Sequence, residues 1–250
     1  RKASGNWKRR WTHVLPGIDD GSPNTDMSIQ MMKQEFKQGV DKVVFTPHFY
    51  AHKQSVDHFL GKREKSLWKL EEALEYEEEE VPDYLVGAEV FYFPGMGKAE
   101  VLPELCIGGS DTILIEMPFT QWDADIVADI HRVINRQRMN VILAHVERYV
   151  PFQKDFRYWD EIMEMPVVCQ MNYAPFLHWK GRRFPVKFLK EGNEVIFGTD
   201  CHNMSTRAPE LLPARTYIEK KLGEDILEEC DDLAEHIWRK IAIETIRNER

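Results

Sequence analysis

Residues 112–145 read TILIEMPFTQWDADIVADIHRVINRQRMNVILAH: an apolar run, an amphipathic stretch and a second apolar run. TILIEM (112–117) and NVILAH (140–145) are apolar on successive residues, the pattern of strands covered on both faces. Between them Ile126, Ile130 and Val133 recur at i, i+4 and i+7, one stripe of a helix. A crossover of that length joins parallel strands. Working outward, the runs HVL (13–15), KVVF (42–45), YLVGAEVFYF (84–93), PVVCQMN (166–172) and EVIFGTD (194–200) bring the candidate strands to seven. Ile29, Met32 and Phe36, stopped by Gly39, mark another helix, and segments 55–77 and 224–248 are also helical in pattern. The expectation is an α/β chain with a single-domain (β/α)7 barrel, an open doubly wound sheet being the alternative. Residues 1–10 read as a basic arm and 11–250 as the domain.

The 250 residues carry 33 Lys and Arg against 42 Asp and Glu, a formal net charge of -9. Arg1, Lys2, Lys8, Arg9 and Arg10 are concentrated at the start, so the body is more acidic still. Such a surface repels phosphate backbones and anionic lipid, which argues against nucleic-acid and membrane-surface binding. The longest uncharged stretch, 165–179, contains Pro166, Gln170, Asn172 and Pro175 and does not read as a spanning helix. No apolar signal core follows the basic arm, and the four cysteines are dispersed, so a cytoplasmic protein with reduced thiols is expected. The acidic run Glu77–Glu80 reads as a solvated helix end. The glycine signatures of the common nucleotide cradles are absent.

The residues suited to holding metal ions are ordered. His48, Glu89, Glu116, His145, Asp200 and His202 fall at or just past the C-terminal ends of apolar runs, and His13 precedes the polar turn PGIDDG with Asp19 and Asp20. In a barrel those ends share one rim, where catalytic groups converge. A single histidine is ordinarily structural; the ordered set points to a site. Imidazoles and carboxylates without thiolate suit Mn²⁺, Fe²⁺ or Zn²⁺, and a bridging carboxylate admits two or three ions. Such a centre supplies hydroxide at neutral pH and clamps the oxygens of a phosphoryl group, with Arg148 and Arg207 placed to hold the non-reacting oxygens. Cys201 and Arg207 also fit C-x5-R, the phosphate loop of thiol phosphatases, but the loop lacks glycine and the pattern is short. Trp122, Trp159, Tyr173, Phe176 and Trp179 read as packing residues rather than a substrate mouth.

The stretches HVLPGIDDGS, TPHF, GAEVFYFP, LIEMP, AHVERY, QMN and GTDCHN, followed by Arg207, span residues 13–207. In that order they resemble the PHP (polymerase and histidinol phosphatase) superfamily, and within it the metal-dependent tyrosine phosphatases of Gram-positive capsular and exopolysaccharide loci. The resemblance implies a distorted (β/α)7 barrel, the PHP fold, with a two- or three-metal site, usually manganese. It implies His13, Glu89 and Asp200 as ligands of one metal group, His48, Glu116, His145 and His202 as ligands of the neighbouring ones, and Glu89 as a bridge. Asp20, Arg148 and Arg207 resemble substrate-activating and phosphate-binding residues. The implied reaction is hydrolysis of phosphotyrosine on a protein, a tyrosine autokinase of polysaccharide export, by metal-bound hydroxide. One departure stands out: the family opens with Asp-x-His-x-His, whereas Arg9 and Trp11 occupy the first two of those positions here. The alternatives are a small-molecule phosphomonoesterase such as a histidinol-phosphate phosphatase, and a metal-poor pseudo-phosphatase that binds without turnover.

Overall fold

The structure, a computed structural model, describes residues 7–199 and 211–248, the first four of these by backbone alone. Each of its strand ladders is parallel. β1 (Trp7–Thr12), β2 (Val40–Phe45) and β4 (Asp83–Val86) form a three-stranded sheet in the order β1-β2-β4. A six-stranded sheet follows in the order β3 (His48–Phe49), β5 (Glu89–Phe91), β6 (Thr112–Glu116), β7 (Asn140–Leu143), β8 (Val167–Asn172) and β9 (Val195–Gly198). The ladder that would close a barrel is not formed among the described residues, although β1 and β9 lie side by side.

Two interruptions turn the expected runs into shorter strands. Pro47, which has no N–H to donate, separates β2 from β3. Gly87 separates β4 from β5 inside YLVGAEVFYF; a Cβ there would meet Ile107 Cγ1 at 2.7 Å, so the chain passes too close for any side chain. A third difference is at the start: β1 ends at Thr12, and the run HVL lies beyond it. Lys8, Arg9 and Arg10 hide this strand from a hydropathy reading, yet its backbone pairs with β2 from Trp7↔Val40 to Thr12↔Phe45. The strand takes in the last four residues of the stretch read as an arm.

The helices are set by their caps and apolar stripes. α1 (Thr25–Lys37) starts at Asn24, whose side chain accepts the Met27 N–H. α2 (Val56–Leu74) starts at Ser55, and α3 (Ala124–Asn135) at Asp123, which accepts from Asp125 and Ile126. α3 buries Ile126, Ile130 and Val133, the stripe read from the sequence. α2 ends short of residue 77, and the acids beyond it pair with α1: Lys33 Nζ lies 2.9 Å from Glu77 and 3.1 Å from Glu79. α4 (Arg157–Met163), α5 (Ala174–Leu177), α6 (Arg183–Lys190) and α7 (Leu212–Leu222) are too short or too proline-marked to announce themselves by periodicity. α8 (Glu224–Asn248) closes the described chain.

Two apolar clusters hold the elements together. The larger lies between the strands and helices and includes Met31, Val43, Phe59, Ile113, Ile130 and Phe197. The smaller gathers Trp11, Val44, Leu114, Ile142 and Ile196 from five strands and packs them on Ala234, Trp238 and Ile241 of α8. α8 covers the end where strands begin: Asn248 donates to the Gly109 carbonyl, and Glu244 accepts the Asp111 N–H just before β6. The opposite end, where strands finish, is left to polar side chains.

Candidate metal centre

His13 follows β1 directly, His48 and Glu89 open β3 and β5, Glu116 ends β6, and His145 follows β7. β3 and β5 each resume the chain after a gap of two residues beyond β2 and β4, so the residues that open them meet those that end or follow β1, β6 and β7 at one rim; His48 and Glu89 are paired in register. Glu89 is the hub. Its Oε2 lies 3.4 Å from His13 Nε2, and its Oε1 lies 3.1 Å from His145 Nε2 and 3.6 Å from His48 Nδ1. Glu116 Oε1 approaches His145 Nε2 at 3.3 Å, and its Oε2 lies 3.8 Å from His48 Nδ1. All but His48 are almost fully buried, and His48 is 11% exposed at its side chain.

The polar turn after β1 supplies a further member. Asp19 Oδ2 accepts from His13 Nδ1 at 3.0 Å and from the His48 N–H at 3.0 Å, while Oδ1 accepts the Gly21 N–H at 2.9 Å. Gly21 is required there, since a Cβ would run into the His13 carbonyl. An ionised carboxylate only accepts, so Nδ1 of His13 donates to Asp19, and this bond turns Nε2 toward Glu89. Asp20, the acid singled out from the sequence, stands at the exposed rim with Oδ1 3.6 Å from His48 Nε2. The local signal for Asp19 was its Asx turn to Gly21, which directs the side chain back over its own loop.

His145 is held in an uncommon way. Its backbone is left-handed at φ +30°, a conformation that non-glycine residues rarely adopt, and its N–H donates to the buried Gln170 Oε1 at 2.6 Å. Gln170 in turn donates to Asn172 at 2.8 Å. Neither amide was singled out from the sequence as part of the site. Arg148 lies half-buried on the turn after His145. Asp200, His202 and Arg207, together with Cys201, lie outside the described residues. Trp122, Trp159, Tyr173 and Phe176 are buried as expected, whereas Trp179 is 77% exposed on the loop after α5.

The electrostatics are those of a proton-bridged network. Burial alone would discharge His13, but Asp19 and Glu89 outweigh it and hold the imidazole charged well above its usual range. Burial is likewise overcome at Asp19, which the His13 bond holds down at about 2, and at Glu89, held well below the carboxylate range by His13 and His145. His145 is held up at about 10 by Glu116 and Glu89 against burial and the nearby Arg148 charge.

Two sets of ligand atoms lie within 4.8 Å of one another, one from His13, Asp19 and His48 and one from His48, Glu89 and Glu116. Glu116 Oε2 and His145 Nδ1 are buried without a hydrogen-bond partner, a costly condition that a cation at the cluster would relieve for the carboxylate. Nitrogen and oxygen donors without sulfur, with a carboxylate in each group and His48 common to both, fit borderline or hard divalent ions. Beneath them Trp11 is 4% exposed and packed among Val44, Leu114 and Ile142, so the position two residues before His13 offers an indole and no ligand atom.

A parallel α/β fold that gathers such a cluster at its strand ends defines the chain as an α/β protein with a candidate metal centre. The family model described as capsular polysaccharide synthesis, CpsB/CapC, matches residues 11–232. The chain belongs to the CpsB/CapC family. It is 25% identical over 227 residues to the tyrosine-protein phosphatase CpsB of Streptococcus agalactiae, covering 86% of this chain and 90% of that one. It is 22% identical over 241 residues to the tyrosine-protein phosphatase YwqE of Bacillus subtilis, covering 92% and 91%. A solved structure from a study of YwqE of Bacillus subtilis and CpsB of Streptococcus pneumoniae, described as metal-dependent tyrosine phosphatases, matches with TM-score 0.72 and 20% identity over 93% of this chain and 94% of that chain. Histidinol phosphate phosphatase of Lactococcus lactis, solved with zinc, L-histidinol and phosphate, has TM-score 0.54 and 12% identity over 87% and 94%.

Proposed function

We propose that this chain is a metal-dependent phosphatase that hydrolyses phosphotyrosine on a protein. The observation that carries this reading is the shared Glu89, buried between His13, His48 and His145 with Glu116 alongside, in a chain of the CpsB/CapC family. The residues would hold two or three divalent ions, manganese first and iron or zinc as alternatives: His13 and Glu89 with Asp200 in one group, His48, Glu116, His145 and His202 in the neighbouring ones. Such ions, when bound, lower the pKa of a coordinated water toward neutrality and polarise phosphoryl oxygens.

The chain's own residues do the rest. Asp19 fixes the tautomer of His13 and, through the His48 N–H, the entry of β3. Gln170 fixes the backbone from which His145 projects. Arg148, with Arg207, binds the non-reacting phosphoryl oxygens and balances their charge in transfer. Asp20 at the rim serves as proton donor or metal partner. A tyrosyl phenolate, with a pKa of about 10, leaves without strong acid assistance. The parallel order of the strands and the bond from Thr199 Oγ1 to the Trp11 carbonyl at 3.5 Å support a distorted seven-stranded barrel behind this site. No described helix is long and apolar enough to cross a membrane. We infer a cytoplasmic enzyme acting on a tyrosine autokinase of capsule or exopolysaccharide export.

The test is turnover of a phosphotyrosine peptide and of histidinol phosphate after chelation and after manganese rescue. The expected result is peptide hydrolysis lost with chelator, restored with metal, and abolished by Glu89→Gln. Preference for histidinol phosphate would favour the small-molecule reading. Activity indifferent to chelator but lost in Cys201→Ser would favour a thiol mechanism. Because Trp11 brings no ligand atom, a binding-only role is the remaining rival. Low metal content, with turnover appearing only in Trp11→His, would establish it.

A further inference from the structure

Beside the cluster, on the rim shared by β6 and β7, stand two aromatic rings, Phe119 and Phe152. Phe119 lies parallel to the His145 imidazole, with ring centroids 6.1 Å apart and planes 9° apart. Phe152 meets Phe119 edge-on at 5.8 Å and is 41% exposed, while Phe119 is half-buried. The loop carrying Phe119 is braced on both sides. The Met117 N–H donates to the Tyr149 hydroxyl at 2.9 Å, and Gln153 donates to the Thr120 carbonyl at 2.9 Å and accepts the Trp122 N–H at 3.1 Å. The Trp122 indole donates to the Pro118 carbonyl at 3.1 Å. The backbone that carries Phe119 is thereby fixed beside His145, a candidate metal-ligating imidazole, with the exposed Phe152 ring next to it.

We propose that Phe119 and Phe152 form the aryl-recognition wall of the site, packing against the ring of the phosphotyrosyl residue and so selecting aryl over alkyl phosphates; this rests on the phosphatase reading above. In an aryl phosphate one oxygen separates phosphorus from the ring, so a ring held at the cluster by its phosphate falls beside whatever lines the adjacent rim. An aliphatic phosphoester has no comparable flat face to offer. Edge-to-face and offset aromatic contacts give such a wall its preference beyond simple burial.

The test uses the full chain loaded with manganese and two non-hydrolysable ligands, phenylphosphonate and methylphosphonate, with affinities measured by calorimetry. Phe152→Ala is expected to weaken phenylphosphonate about three- to tenfold, with a much smaller effect on methylphosphonate, and to raise KM for phenyl phosphate in step. Phe119→Leu should act in the same direction, while Trp68→Ala, remote on α2, leaves the ratio of the two affinities unchanged. If Phe119→Leu does not fold, Phe152→Ala answers alone, its side chain being the more exposed. Equal weakening of both phosphonates would overturn the wall while leaving the phosphatase reading intact. Failure to bind either phosphonate, together with no turnover of phenyl phosphate, would overturn that reading and the wall with it.

Discussion

At the scale of single residues the site depends on proton placement. His13 presents Nε2 to Glu89 because Asp19 accepts a hydrogen bond from Nδ1, and Asp19 stays ionised because His13 holds its carboxyl at about 2. Replacing Asp19 by Asn preserves volume but offers an amide that can turn either face to the imidazole. Asp19→Asn is expected to lower metal affinity by roughly 10- to 100-fold while leaving the far-ultraviolet circular dichroism unchanged. Elemental analysis after dialysis against graded chelator would measure it, and undiminished retention would show Asp19 to be a bystander. The histidines and glutamates were legible as a set because strand ends recur in the chain. Asp19 was harder to distinguish from Asp20: only the turn that buries one and exposes the other separates two adjacent acids.

Elements are joined by fewer, stronger ties. Arg215 on α7 is 4% exposed and bonded to both Asp231 oxygens on α8, at 3.0 and 2.6 Å, and to the Tyr173 hydroxyl at 3.0 Å. Asp231→Ala removes the carboxylate that balances a buried guanidinium and is expected to destabilise the protein by roughly 3–5 kcal/mol in urea unfolding. Adding Arg215→Met to that variant should recover a large part of the loss; no recovery would place the cost in packing rather than in charge. The cap of α3 is a smaller case: Asp123→Ala should cost about 1 kcal/mol, with metal content unchanged. Periodicity reveals α1, α2 and α3 because each shows several turns of one apolar stripe. β1 is concealed because consecutive cations mask its alternation, and it becomes a strand by pairing with β2.

For the molecule as a whole, burial governs how stability responds to pH. Burial pushes the Cys106 and Cys169 thiols from 9.0 up to about 12. Between those values the unfolded chain loses thiol protons that the folded one retains, so these groups leave stability untouched below pH 9 and reduce it as pH rises toward 12. Urea midpoints should fall between pH 9 and pH 11, less steeply in Cys106→Ala; an identical slope in that variant would assign the fall to other groups. Both thiols should also resist alkylation in the native state at neutral pH. Chelation acts through the other end of the molecule: removing ions that bind only the folded state is expected to lower Tm, with recovery that scales with added metal.

Sequence alone determined the parallel α/β class, since buried strands and amphipathic crossovers each leave a local hydropathy signature. It also pointed to His13, His48, Glu89, Glu116 and His145, which the structure describes at strand boundaries. Only the tertiary structure decided where β2 and the β4–β5 run break, that Asp19 turns inward, and that Gln170 and a left-handed His145 complete the rim. Those features arise from contacts that the order of residues does not announce: a close pass against Ile107, the hydrogen bonds of Asp19 to His13 and the His48 N–H, and the hydrogen bond from the His145 N–H to the Gln170 side chain. No reading of neighbouring residues contains them.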